Sequence, residues 1–240
     1  MISRTYAQID CSLKGSKKIR GLSSHAARWA YVCAHLSDYC TYAGLFQYPL
    51  HVWAHDAQLD ASQLEDCVAD LVDAGLIEYD KQESFVRIVG FFNKRSGPEN
   101  PNRVDGVISD LSSFDDIEPA IYCRTVSELA VASVRRSLRW PTEGSGRTQL
   151  YASLNQFLAE VYQDYGDPFL ALLNAELDKA SATVGTEIKA IFPPLLMSTD
   201  SLAGKGSERV PKGFGNTRLD ETRLKRDENE TRLKRDGHFF

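Results

Sequence analysis

No stretch of this 240-residue chain is apolar for long enough to span a bilayer, which takes about 20 such residues. The N-terminal segment MISRTYAQIDCSLK lacks the apolar core of a secretory signal, so an intracellular protein that avoids membranes is expected. Catalytic wording is missing too. There is no recognisable acid–base carboxylate motif and no nucleophile motif, so neither enzyme activity nor a cofactor is expected. GSGRT at 144–148 lacks the earlier glycine of a phosphate-binding loop and has Arg147 where that loop has lysine, which excludes nucleotide binding by this motif. The five cysteines (Cys11, Cys33, Cys40, Cys67, Cys123) form no CxxC pair, and three fall at core-facing helical positions. They read as free buried thiols. His51 and His55 stand one helical turn apart, a legal spacing for metal ligands, but no glutamate or third ligand accompanies them. No metal is expected, and the two histidines read as a partly exposed face beside Trp53.

An excess of positive charge is lacking as well. The net charge is −5; residues 1–110 carry 11 Lys+Arg against 14 Asp+Glu, residues 111–180 carry 6 against 10, and residues 181–240 carry 11 against 9. That balance argues against a general nucleic-acid coat, so any DNA contact must come from local patches. With 42% hydrophobic residues, the chain can bury a sizeable core in one or two domains.

What is present is concentrated between Gly44 and Phe92. Leu64, Cys67, Val68, Leu71 and Val72 follow helical spacing with one apolar face. Asp60 and Gln63 are placed as a capping box, and Gly75 closes the helix. Pro49 opens a shorter helix over 50–57. Leu76, Ile77, Tyr79 and Phe85, Val86, Ile88 are β-rich runs around the polar turn 80–84, a two-stranded hairpin. Before these, Ser23 or Ser24 starts a helix whose inner face is read as Ala26, Trp29, Ala30, Cys33, Leu36 and Cys40, with His25 on the surface and His35 on a helix face. Short strand, helix, turn, helix and hairpin describe a winged helix-turn-helix. The fold class expected is mainly α with a small β-hairpin.

The segments GLFQYPL, AGLIEYD and VRIVGFFNKRSGPENPNRVDGVISDL carry more than a pattern. Over roughly residues 18 to 112 the chain resembles the N-terminal winged-helix domain of phage replication proteins of the replisome-organiser or origin-binding type. The resemblance implies replication initiation in the cytoplasm of a bacterial host. DNA would be one partner and a replicative helicase or helicase loader the other.

If the helix over 61–74 is a recognition helix, its early residues meet base edges. Its outward side carries Glu65, Asp66, Asp70 and Asp73, which repel phosphates. Ser62 and Gln63 at the tip are therefore the candidates for base contact. Phosphate contact falls to Lys17 and Lys18, in a basic cluster with Lys14 and Arg20, and to Lys81, Arg87, Lys94, Arg95, Asn102 and Arg103 around the hairpin and its exit, where Asn100 also stands. The acidic helix keeps two alternatives open: a winged-helix transcriptional regulator, dimeric through the helices after 118, or an interaction adaptor that has lost DNA binding.

The domains expected are a winged helix over 1–112, a helical domain over 113–190 and a flexible tail over 191–240. A short helix over 104–111 is followed by the linker SSFDDIEP. From Glu118 or Pro119 a helix shows one stripe (Tyr122, Val126, Leu129, Ala130, Val134, Leu138) and ends in Arg135, Arg136 and Arg139, which suit the helix dipole or a phosphate. PTEGSGRT at 141–148 reads as a turn or loop. Two amphipathic helices follow, separated at Gly166-Asp167-Pro168. The tail repeats ETRLKRD at 221–227 and 230–236, too charged to fold alone, and ends in Phe239 and Phe240. Those two rings are the candidate partner-binding anchor.

Overall fold

A short helix α1 spans Lys17–Arg20; Ser24 then is extended, and its hydroxyl accepts from the amide of Ala27 at 3.0 Å, which caps the start of helix α2, His25–Leu36. Pro49 is the cap residue of α3, Leu50–Ala57, which ends at Gln58 in the left-handed conformation (φ 54°). Asp60 and Gln63 form the reciprocal capping box of α4, Ala61–Asp73, with the Asp60 amide donating to Oε1 of Gln63 at 3.3 Å. At the other end Gly75 takes φ 60°; its amide bonds the carbonyl of Val72, and that of Leu76 bonds Leu71. This pair of bonds is the Schellman ending that glycine permits. Leu64, Cys67, Val68 and Leu71 are buried as expected, whereas Val72 is turned outward.

The computed structural model describes residues 15–93, 98, 100–114, 117–140 and 145–194. They belong to a unit covering residues 1–202; a second unit, 203–240, lies outside the described residues with Phe239, Phe240 and the ETRLKRD repeats.

The hairpin β2 (Ile77–Asp80) and β3 (Phe85–Ile88) forms where expected, and β1 (Leu45–Gln47) pairs with its outer edge. The result is a three-stranded antiparallel sheet of order β1-β3-β2, with Phe46 opposite Val86 and Tyr79 opposite Val86 on the other side. Gly44 makes this possible at φ 64°: the Phe91 ring occupies the place where its Cβ would stand.

The two faces of the sheet meet different partners. Tyr79 packs edge-on against the Trp53 ring of α3, with centroids 6.4 Å apart. Glu78 and Arg87, opposite each other in register, meet the helix α6, Pro119–Ser137. Every residue of β3 is therefore buried. The sheet is a middle layer, not an open wing with one solvated face.

Three expectations change here. The inner face of α2 is Ala27, Ala30, Tyr31, Cys33 and Ala34, while Trp29 and Leu36 are 48% and 49% exposed. Trp29 lies over the end of α3, donating its indole N–H to the carbonyl of Ala57 at 3.2 Å, and alanines take the interior because they let helices approach closely. His25 is exposed, and His35 is buried between the rings of Tyr31 and Phe91. Secondly, α6 has no single apolar stripe. It is buried nearly all round, from Ile121 to Val134 and again at Ser137, with only Arg124 less covered in that run. Its interior Thr125 and Ser127 hydroxyls avoid the cost of burial by donating to the carbonyls of Ile121 and Cys123, four residues back. Thirdly, residues 145–148 are helical. They open α7, Ser145–Leu177, where Arg147 donates to the carbonyls of Ser137 and Trp140 at 2.7 and 3.0 Å and so caps the end of α6.

The remaining helices follow local signals. α5 spans Pro101–Leu111, starting earlier than 104 because the Asn100 side chain accepts from the amide of Arg103 at 2.9 Å. α7 breaks at Gly166 (φ 56°, ψ −139°), where two helices were expected. α8, Ala182–Ile191, was not singled out by periodicity, though Ser181 caps it. Phe192, assigned to the tail, is buried against Tyr162 and Phe169, so the packed body reaches at least this residue. Cys33, Cys40, Cys67 and Cys123 are buried; Cys11 lies outside the described residues. Among the described residues no helix is long and apolar enough to cross a membrane.

Candidate nucleic-acid interface

The solvent face of α4 is Ser62, Glu65, Asp66, Ala69, Val72 and Asp73, spaced three or four residues apart. Asp70, expected on this face, is instead half-buried and bound: it accepts from the amide and hydroxyl of Ser23 at 2.9 and 2.6 Å. It fastens the start of α2 to α4. Ser62 is exposed and available, whereas the exposed Gln63 holds its side chain in the capping box. The face that would meet bases thus presents three carboxylates.

Arg87 is a correction. It was expected to contact phosphate, but it is only 6% exposed and lies between two carboxylates. Its Nη2 donates to Oε2 of Glu128 at 2.7 Å, and its Nη1 is 3.3 Å from Glu78. Glu128 also accepts from the amides of Gly90 and Phe92, each at 3.2 Å, and Arg124 closes the network on Glu78 at 2.9 Å. Burial pushes the Glu128 carboxyl above the usual carboxylate range, while Arg87 and the two amides pull the other way. An arginine so placed serves the fold; a phosphate cannot reach it without opening the core.

Lys81 stands exposed in the hairpin turn, shaped by Asp80, whose Oδ1 accepts from the Gln82 amide at 2.9 Å. Asn102 is exposed at the start of α5, and the neighbouring Arg103 is half-buried with its guanidinium 5.8 Å from the centre of the Tyr42 ring. Lys17 is exposed. Lys18 donates its Nζ to the carbonyl of Gly75 at 2.9 Å, which places α1 at the C-terminal end of α4. Arg28 holds the same segment through the carbonyls of Ile19, Arg20 and Leu22. Lys94 and Arg95 lie outside the described residues.

The structure also places two of the arginines that in sequence suit either the helix dipole or a phosphate. Arg135 donates to Oδ1 of Asn93 at 2.7 Å, which joins the end of α6 to the exit of the hairpin, and Arg139 is exposed one turn further on. No sequence signal links residues 42 positions apart. A concavity of about 490 Å³ bounded by Tyr39, Phe46, Pro49, Phe85 and Phe114 is aromatic, includes Glu83 and has no cation among the described residues of its lining. His51 and His55 are both exposed, and no group of three metal-ligating side chains gathers among the described residues. Comparison with family models, with curated proteins and with solved structures returns no match for this chain.

Proposed function

We propose that the chain is a winged-helix DNA-binding protein of phage-type replication initiation, which engages DNA near an origin and recruits helicase machinery. One observation carries the reading. Three helices, α2 to α4, pack on a C-terminal hairpin whose outer edge takes up β1, and a short turn from Gln58 to Asp60 separates α3 from α4. That order supports the winged-helix reading, and in a winged helix the second helix of the pair offers its early residues to the major groove. The resemblance in the segments 44–50, 74–80 and 86–111 supplies the replication context. On this reading Ser62 contacts a base edge, while Lys17, Lys18, Lys81, Asn102 and Arg103 supply phosphate contacts.

A second reading, an adaptor that binds protein and not DNA, is favoured by α4. Its exposed Glu65, Asp66 and Asp73, with the outward Val72, suit a protein surface better than a phosphate backbone. Fluorescence anisotropy of labelled single- and double-stranded DNA at two salt concentrations separates the two. Binding that weakens steeply with salt supports the first. No binding to either form at low salt would leave the adaptor reading.

A further inference from the structure

Guanidinium groups gather at the C-terminal end of α6. A helix end presents about half a negative charge, which one cation offsets. Here Arg135 stands in the last turn and Arg139 just beyond it, and Arg147 places another guanidinium directly on the terminal carbonyls. Glu187 of α8, which acts on Tyr151 beside Arg147, offsets part of this.

Its position is set by two anchors. Gly75 and Gly90 emerge together where the hairpin opens, because the Val89 amide bonds the carbonyl of Leu76 and Ile77 pairs with Ile88. Lys18 is tied to Gly75. Arg135 is tied to Asn93, whose amide bonds the carbonyl of Gly90. The cations of α1 and those of α6 therefore bracket one end of the sheet, opposite the turn that carries Lys81. Asp73, two residues before Gly75, offsets part of what Lys18 contributes, which leaves the arginines as the stronger half.

We infer that a phosphodiester backbone crosses this end of the sheet, held by Arg135 and Arg139 on one side and by Lys17 and Lys18 on the other. The inference rests on the DNA-binding reading and moves its main contact from α4 and the hairpin turn to the helical layer. Arginine suits this role because its planar fork pairs with phosphate oxygens in two parallel bonds.

The test uses the full chain and a labelled mixed-sequence oligonucleotide of about 30 nucleotides, as single strand and as duplex, at about 50 and 150 mM salt. Arg139→Glu is expected to weaken binding about tenfold or more and to lower the salt slope by about 1 to 2, because it removes one phosphate contact and adds repulsion. Arg139→Lys should keep most of the slope, and Lys81→Glu should weaken binding less than Arg139→Glu. A thermal melt controls for folding, and a purely structural arginine would leave the salt slope unmoved. Loss confined to one arm assigns the contact to single strand or to duplex. If the parent protein binds but Arg139→Glu matches it, or loses no more than Lys81→Glu does, the placement is wrong while the DNA reading stands. If the parent protein binds neither form, the DNA reading falls and this inference with it.

Discussion

Arg87 holds a position that few charged residues occupy: buried in the central strand of a sheet, with carboxylates on both sides. Taking such charges from water is costly, and what makes the arrangement tolerable is that every partner is present at once. Removing one partner leaves the other charge buried alone. Glu128→Ala or Arg87→Ala is therefore expected to lower stability by about 3–5 kcal/mol, while the paired replacement Arg87→Met with Glu128→Leu should cost far less. Urea denaturation measures all three, and a single-variant loss under about 1 kcal/mol would show that water enters the site. The thiols give a second expectation at this scale. Burial pushes Cys33 up to about 11 and Cys123 up to about 12 from an ordinary 9.0. The folded chain thus keeps protons that the unfolded chain releases, so this stabilisation is complete below pH 9 and is lost as pH rises toward 11 and 12. Melting temperature should fall across that window, and native Cys33 and Cys123 should alkylate slowly at about pH 8. A melting temperature that climbs through the same window would contradict the burial of these groups.

α4 joins two roles that separate along its length. Its ends are structural: the capping box at Asp60 and the Schellman ending at Gly75 define where it starts and stops. Asp60→Ala should cost about 1 kcal/mol by thermal or chemical denaturation. Its outer face is free of that duty. Glu65→Gln and Asp66→Asn should change stability by no more than about 0.5 kcal/mol, as exposed substitutions do. If α4 lies beside the DNA backbone, the same two changes should strengthen binding and be most visible at low salt. Unchanged affinity in the anisotropy titration would place α4 away from the nucleic acid and strengthen the adaptor reading.

At the scale of the molecule, the helical segment is a layer of the fold that the sheet needs. α6 covers the face of the hairpin that bears Glu78 and Arg87, and its Glu128 holds the chain from Gly90 to Phe92. A fragment ending at Phe114 would expose that face and strand Arg87 without its strongest partner. Such a fragment is expected to lack a cooperative melt and to bind a hydrophobic dye, whereas a chain ending at Leu202 should melt like the full protein. A cooperative melt of the short fragment would show that α2 to α4 and the sheet suffice by themselves.

Local chemistry was legible in the sequence because each signal closes within a few residues. Asp60 meets Gln63 three positions on, Gly75 ends the helix just before it, and Leu64, Cys67, Val68 and Leu71 return every turn to one face. The hairpin strands and the break at Gly166 were readable for the same reason. Asn100 stands in sequence among the phosphate-contact candidates, although its cap of α5 is equally local. Among the candidate site residues, Ser62, Lys17, Lys81 and Asn102 are exposed as a contact requires, while Arg87 looked the same in sequence and is not. Its partner Glu128 lies 41 residues away, and nothing near either residue marks the pairing. Burial of α6 on all sides, the outward turn of Trp29 and Leu36, the cap that Arg147 places on α6 and the link from Arg135 to Asn93 share that origin. The sequence determined the ends of α3 and α4 and the strands of the hairpin, since their caps and periods are local. Only the tertiary structure decided which charges are left to meet a ligand, because desolvation and pairing depend on what arrives from elsewhere in the chain.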